Sequence, residues 1–178
     1  MSRWQIILTA LNVAGGIAIL GSYAHGALAI PNAGDFLWGQ VPADWRPLYT
    51  GSMFLAAAGY IALATFLLFR VDPEQVRLAG GLDYPWLLLP FLLILVGSAL
   101  WMPMMEWFAQ SGGEALWLAI RVVLALVGTG SLALLVLLAG VQPREPSLHW
   151  GLAVAGAVAF LFQTGVLDAI LWTSRYRV

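Results

Sequence analysis

The chain contains no cysteine and no lysine; its eight basic residues are all arginine, set against nine Asp and Glu for a net charge of −1. Without cysteine there are no disulfides, thiolate metal sites, iron–sulfur clusters or thiol nucleophiles. Near-neutral charge excludes a nucleic-acid binder, which needs a basic surface to displace counterions from phosphates. Charge of either sign is scarce: 10% of the 178 residues are charged and 61% are apolar. A soluble domain carries roughly 25% charged residues and under half apolar ones. With a mean hydropathy of +0.87, there is too little polar surface to coat a water-soluble globule or to solvate a disordered chain. The composition is that of an integral membrane protein.

What the chain has instead is long apolar runs. A bilayer-crossing helix needs about 20 such residues, and five stretches supply them: 5–29, 48–69, 85–104, 115–140 and 148–172. Turn-formers and most of the charges fill the gaps. Pro31, Asn32, Gly34 and Asp35 stop the first run, and Asp72-Pro73-Glu74 stops the second. Gly112-Gly113 precedes the fourth, and Pro143-Arg144-Glu145-Pro146 separates the fourth from the fifth. The runs lack the alternation of barrel strands, so the expected fold is a single all-α domain over 1–178, a bundle of five transmembrane helices. Arg3, an apolar run and Ala27-Leu28-Ala29 also have the layout of a signal peptide, but the run is longer than a signal core and is read as the first span.

Five spans put the termini on opposite faces. The N-terminal face, side A, carries Arg3, Arg70, Arg77 and Arg144, whereas side B carries Arg46, Arg175 and Arg177. This slight excess leans towards a cytoplasmic N-terminus, and the expected location is a bacterial inner membrane.

Charge inside a span is expensive and needs a partner or a wet cavity. Arg121 lies about 9 Å into the fourth span from side B, and Asp168 about 6 Å from the same end of the fifth, at 1.5 Å per residue. Equal depth on consecutive helices predicts an intramembrane Arg121–Asp168 ion pair. It reads as a structural clamp or as an anchor that offers Arg121 to a ligand carboxylate, with snorkelling of the charges to the interface as the third reading. Tyr23, His25, Trp38, Trp45, Tyr49, Trp101 and Gln163 gather at the same end. Part of this is an interfacial aromatic belt. The concentration of polar groups at one face predicts a pocket opening to side B, lidded by the long connection from Ala29 to Trp45.

In the first span Asn12, Gly16, Ile19, Tyr23 and Gly26 form a small, polar stripe, and in the fifth Gly151, Ala155 and Ala159 repeat every four residues, a spacing that lets helices approach closely. Leu87 to Leu95 in the third span is bulky and uniformly apolar, which predicts contact with lipid or a partner subunit. His25 and His149 fall at opposite ends, so one haem cannot take both. His25, Glu106 and Asp168 form a loose acidic cluster without metal-ligand spacing, and no metal site is assigned. No catalytic signature occurs, although His25 with Asp168 is conceivable as a general base for a lipid-soluble substrate.

Three local features resemble the tryptophan-rich sensory protein/translocator protein family. Trp38-Gly-Gln-Val-Pro42-Ala-Asp-Trp45-Arg-Pro-Leu48-Tyr49 is similar to that family's Trp- and Pro-rich loop leading into a Trp-x-x-Leu-Tyr second helix. Leu100-Trp101-Met-Pro103 resembles its Trp-x-Pro near the end of the third helix, and Leu167-Asp168 stands where its fifth helix commonly carries Leu-Asn. The consecutive prolines of its first loop are absent, Asp168 replaces an amide with a charge, and Arg121 has no counterpart. The resemblance implies a five-helix bundle, often dimeric, binding porphyrins, sterols or synthetic hydrophobic ligands between its helices. Trp38, Trp45 and Tyr49 would form the lid and Trp101 a pocket wall.

The expected function is therefore a membrane-embedded binder, carrier or sensor of a small hydrophobic ligand, tetrapyrrole or sterol-like, without an assigned catalytic residue. The alternatives are an accessory subunit of a larger membrane complex, and a small membrane enzyme or transporter using His25, Arg121 and Asp168. Expected partners are the lipid bilayer and the hydrophobic ligand, with a homodimer or larger complex left open and nucleic acid excluded.

Overall fold

In a computed structural model, which describes residues 1–143 and 147–176, the five apolar runs are helices long enough to cross a membrane. The order is α1 (Arg3–Ala29), the short α2 (Ala33–Trp38), α3 (Arg46–Phe69), α4 (Leu88–Ser111), α5 (Glu114–Ala139) and α6 (Leu148–Leu161). α6 continues without a break through a π-helical segment, Phe162–Trp172, into a last turn, Thr173–Arg175. Arg144 and Arg177, used above to weigh orientation, lie outside the described residues.

Local chemistry sets the ends. Ser2 caps α1 in a reciprocal box with Gln5, and the Gln5 amide also donates to Leu68 O at 2.8 Å and Val71 O at 3.3 Å, where α3 runs out of internal donors. Ser147 caps α6 by accepting from the Trp150 amide. α4 stops at Gly112 and α5 starts after Gly113, both at positive φ (62° and 106°), a conformation that glycine adopts without strain.

α4 packs between α1 and α5, α5 also packs on α6 and the π segment, and α6 packs on α3. The interior divides into two apolar clusters. One, towards side A, contains Leu8, Leu63, Leu67, Tyr84, Phe91 and Leu138; the other, at side B, contains Tyr49, Met105, Trp117, Ile120, Leu167 and Trp172.

Two packing expectations are corrected. In the third span Leu87, Phe91, Ile94 and Leu95 are buried, because that span sits between two others, and only the other side, with Leu89 and Leu92 at 54% and 41% exposure, faces outward. The bare helix is α1, with 6% of its most apolar window buried against 28–39% in the other four. The small-residue face of α6 that approaches a neighbour is Ala153, Gly156 and Ala157, whereas Gly151 and Ala155 are exposed. Gly156 meets Gly59 of α3 so closely that a Cβ on either would lie 2.5 Å from the other's carbonyl oxygen. The long connection 29–45 contains α2 and a tight turn at Ala43–Trp45.

Candidate functional site

The polar residues of side B converge on the π segment. In an α-helix, Gln163 and Asp168 would point about 140° apart, five residues at 3.6 per turn. The wider turn of the π segment places them on one face, where Gln163 Nε2 donates to Asp168 Oδ1 at 2.8 Å. Such π-bulges concentrate at functional sites. The segment is held from two sides. Tyr49 of α3 donates its hydroxyl to Leu167 O at 3.2 Å, and Thr164 donates to Ser131 Oγ of α5 at 2.8 Å. Gly165 lets α5 approach, since a Cβ on Gly128 would stand 3.1 Å from the Gly165 Cα.

Around this acid stands an aromatic wall. Tyr23 of α1 meets Trp101 of α4 edge-on at 5.6 Å between ring centroids, and lies within electrostatic reach of Asp168. Trp101 meets Trp172 at 5.9 Å. Trp172 in turn contacts Trp117 at 5.6 Å and Tyr176 at 4.8 Å, and Trp117 stacks on Tyr176 at 5.0 Å.

The cover is pinned from the C-terminal end. Trp172 Nε1 donates to Leu37 O at 2.8 Å and the Tyr176 hydroxyl to Phe36 O at 3.0 Å. Half-burial pushes the Tyr176 hydroxyl up to about 12. Trp38 touches Tyr49 edge-on at 6.0 Å. Two arginines lie over indoles of the cover, Arg46 at 5.6 Å from the Trp38 ring centre and Arg175 at 5.2 Å from that of Trp45, an attraction of about 0.5–1 kcal/mol at exposed sites. Arg46 also approaches Asp35 at 3.7 Å.

The predicted Arg121–Asp168 pair does not form. Asp168 takes its hydrogen bond from Gln163, and Arg121 is exposed on α5 with no ion-pair partner among the described residues. The buried face of α5 runs through Trp117, Ile120, Leu124 and Val127, and Arg121 lies about 90° off that face at 100° per residue. Rotation about the helix axis, which depth does not fix, decides the pairing. Arg121 is thereby removed both as clamp and as ligand anchor. His25 is likewise separated from Asp168: its Nε2 lies 3.3 Å from Glu106 Oε2, and its side chain is 68% exposed. A catalytic or transport set of His25, Arg121 and Asp168 is not assembled.

Tyr23, Trp38, Tyr49, Trp101 and Gln163 do come together as expected, with Trp45 at the rim. A cleft of about 440 Å³ lies at side A among Arg3, Trp4, Glu74 and Arg77. Sequence reasoning missed Trp172, Tyr176, Arg46 and Arg175; the spacing of Trp172 and Tyr176, one helical turn apart at the end of the last span, was the available signal.

Polar accounting singles out this end. Among the described residues, three buried side-chain nitrogen or oxygen atoms lack a hydrogen-bond partner: Trp101 Nε1, Gln163 Oε1 and Arg46 Nε. All three belong to side B. Comparison with protein-family models, with curated proteins and with solved structures finds no match to this chain.

Proposed function

We propose that the protein is a membrane-embedded binder, carrier or sensor of a small hydrophobic ligand, tetrapyrrole- or sterol-like in shape, held between the helices beneath residues 29–45. The observation that carries this reading is the pair of unpartnered buried atoms, the Trp101 indole N–H and Gln163 Oε1, in an aromatic enclosure that also holds an intramembrane carboxylate. At least about 90% of buried polar groups in folded proteins have a partner, and each one left unmade costs roughly 1–3 kcal/mol. Aromatic walls with a few fixed polar groups are the usual lining of a small-molecule site. The likeness of the 38–49 and 100–103 segments to the tryptophan-rich sensory/translocator proteins favours the same class of ligand.

The test is quenching of intrinsic tryptophan fluorescence by protoporphyrin, and energy transfer to the fluorescent sterol dehydroergosterol, in lipid nanodiscs. Saturable signal with either probe, weakened in Trp101→Phe, supports the reading. Linear signal that is equal in wild type and variant with both probes means partitioning into lipid and overturns it.

A second reading is favoured by the bareness of α1: the chain is a subunit of a larger membrane complex, with that helix at the contact. It predicts a heavier assembly on mild extraction from the native membrane, with crosslinks from α1 to another chain. A single-chain particle would remove it.

A further inference from the structure

Resting on the ligand site just proposed, a narrower inference concerns the polar end of the ligand. We infer that it carries a cationic nitrogen on its apolar body, seated between the Asp168 carboxylate and Gln163 Oε1.

Hydrogen-bond capacity at the site supports this. Gln163 is 5% exposed and spends an N–H on Asp168 Oδ1, so its carbonyl oxygen turns elsewhere and meets no donor. Among the described residues, the second carboxylate oxygen of Asp168 takes no hydrogen bond. The polar floor thus presents two free acceptors, one of them on an acid. An ammonium group, with several N–H donors and a positive charge, answers both.

Charge argues in the same direction. A carboxylate within a membrane span requires a counter-ion or a wet cavity, and none of the described residues forms an ion pair with Asp168. Arg121 is exposed on α5, Arg46 and Arg175 lie over Trp38 and Trp45 in the cover, and His25 is taken by Glu106. A ligand carboxylate would bring a second negative charge to an acid without a cation. The neighbouring rings of Tyr23, Trp101 and Trp172, in edge contact with one another, supply π systems of the kind that attract a cation. The Trp101 N–H remains as a donor for an oxygen on the same ligand.

Three probes with one apolar body and different heads test this: pyrenemethylamine, pyrenemethanol and pyrenecarboxylate. Each is titrated into the full chain in zwitterionic nanodiscs, read by energy transfer from tryptophan to pyrene, with empty discs as background. The expected result is saturable binding of the amine at least tenfold tighter than the alcohol, with the carboxylate weaker still. Asp168→Asn should reduce the amine's advantage over the alcohol to under threefold, while Arg121→Gln keeps it. The wild-type ladder decides the matter even if Asp168→Asn does not fold. Saturable binding of all three with equal affinity, or an advantage for the carboxylate, overturns the cationic assignment and leaves the ligand site standing. No saturable binding by any probe counts against both.

Discussion

Gln163 and Asp168, five residues apart, meet at 2.8 Å because the helix between them is wound as π and not as α. This bond is the protein's own answer to a carboxylate inside a membrane span, so its two ends should be unequal under mutation. Gln163→Leu leaves the acid without its donor and should destabilise by about 3 kcal/mol or more, because an unmade bond costs roughly 1–3 kcal/mol and more when the stranded group is charged. Asp168→Leu leaves an unpaired amide and should cost about 1–3 kcal/mol. The double variant should recover much of the loss. Unfolding in mixed detergent micelles measures all four corners of this cycle; additive losses would show that the two groups are not coupled.

Gly59 and Gly156 present a sharper steric case. A methyl group on either meets the opposite backbone at 2.5 Å, and backbone cannot move aside as a side-chain tip can. Gly59→Ala or Gly156→Ala should therefore push α3 and α6 apart and cost about 1–3 kcal/mol, the usual range for overpacking. Gly16→Ala and Gly51→Ala, which face open space, serve as controls and should be neutral or slightly stabilising. Thermal unfolding of the four variants in one detergent checks this, and similar melting temperatures across them would refute the close contact.

The fold was readable because hydropathy is a property of consecutive residues, and bilayer thickness converts it directly into helix length. Rotation about each helix axis was not. The third span is apolar on every side, so nothing in Leu87–Leu95 distinguishes a lipid face from a buried one; its position between α1 and α5 decides that. The stripe on α6 was chosen one face away because Gly151, Ala155 and Ala159 are as small as Ala153, Gly156 and Ala157. Asp168 was assigned to Arg121 on depth alone, since regular periodicity sets Gln163 on another side of the helix. A local change to π winding leaves no signature in an apolar sequence, and here it determines the acid's partner. Gathering of the aromatics was legible because Trp and Tyr already cluster at the side-B ends of several spans.

Arg121 lies outside the polar site, and its loss should be correspondingly small. Arg121→Gln removes an exposed cation with no ion-pair partner among the described residues, so stability should stay within about 0.5 kcal/mol of wild type. The expected melting temperature is unchanged, in contrast to Gln163→Leu. A large loss would restore Arg121 as an internal clamp.

The cover offers a test through pH. The neutral Tyr176 hydroxyl donates to Phe36 O, and its pKa is raised by burial to about 12 from an ordinary value near 10. A raised folded-state pKa means that the contribution is complete below about pH 10, where the tyrosine is neutral in both states, and is lost as pH rises through about 12. Tyr176→Phe keeps the ring contacts with Trp117 and Trp172 but removes the donor, so it should cost about 1 kcal/mol at neutral pH. The gap between wild type and Tyr176→Phe should then narrow between about pH 10 and 12, while the other tyrosines, common to both proteins, cancel. Paired thermal melts across that range measure the gap. A constant difference would mean that the hydroxyl contributes through packing and that the bond to α2 does not hold the cover down.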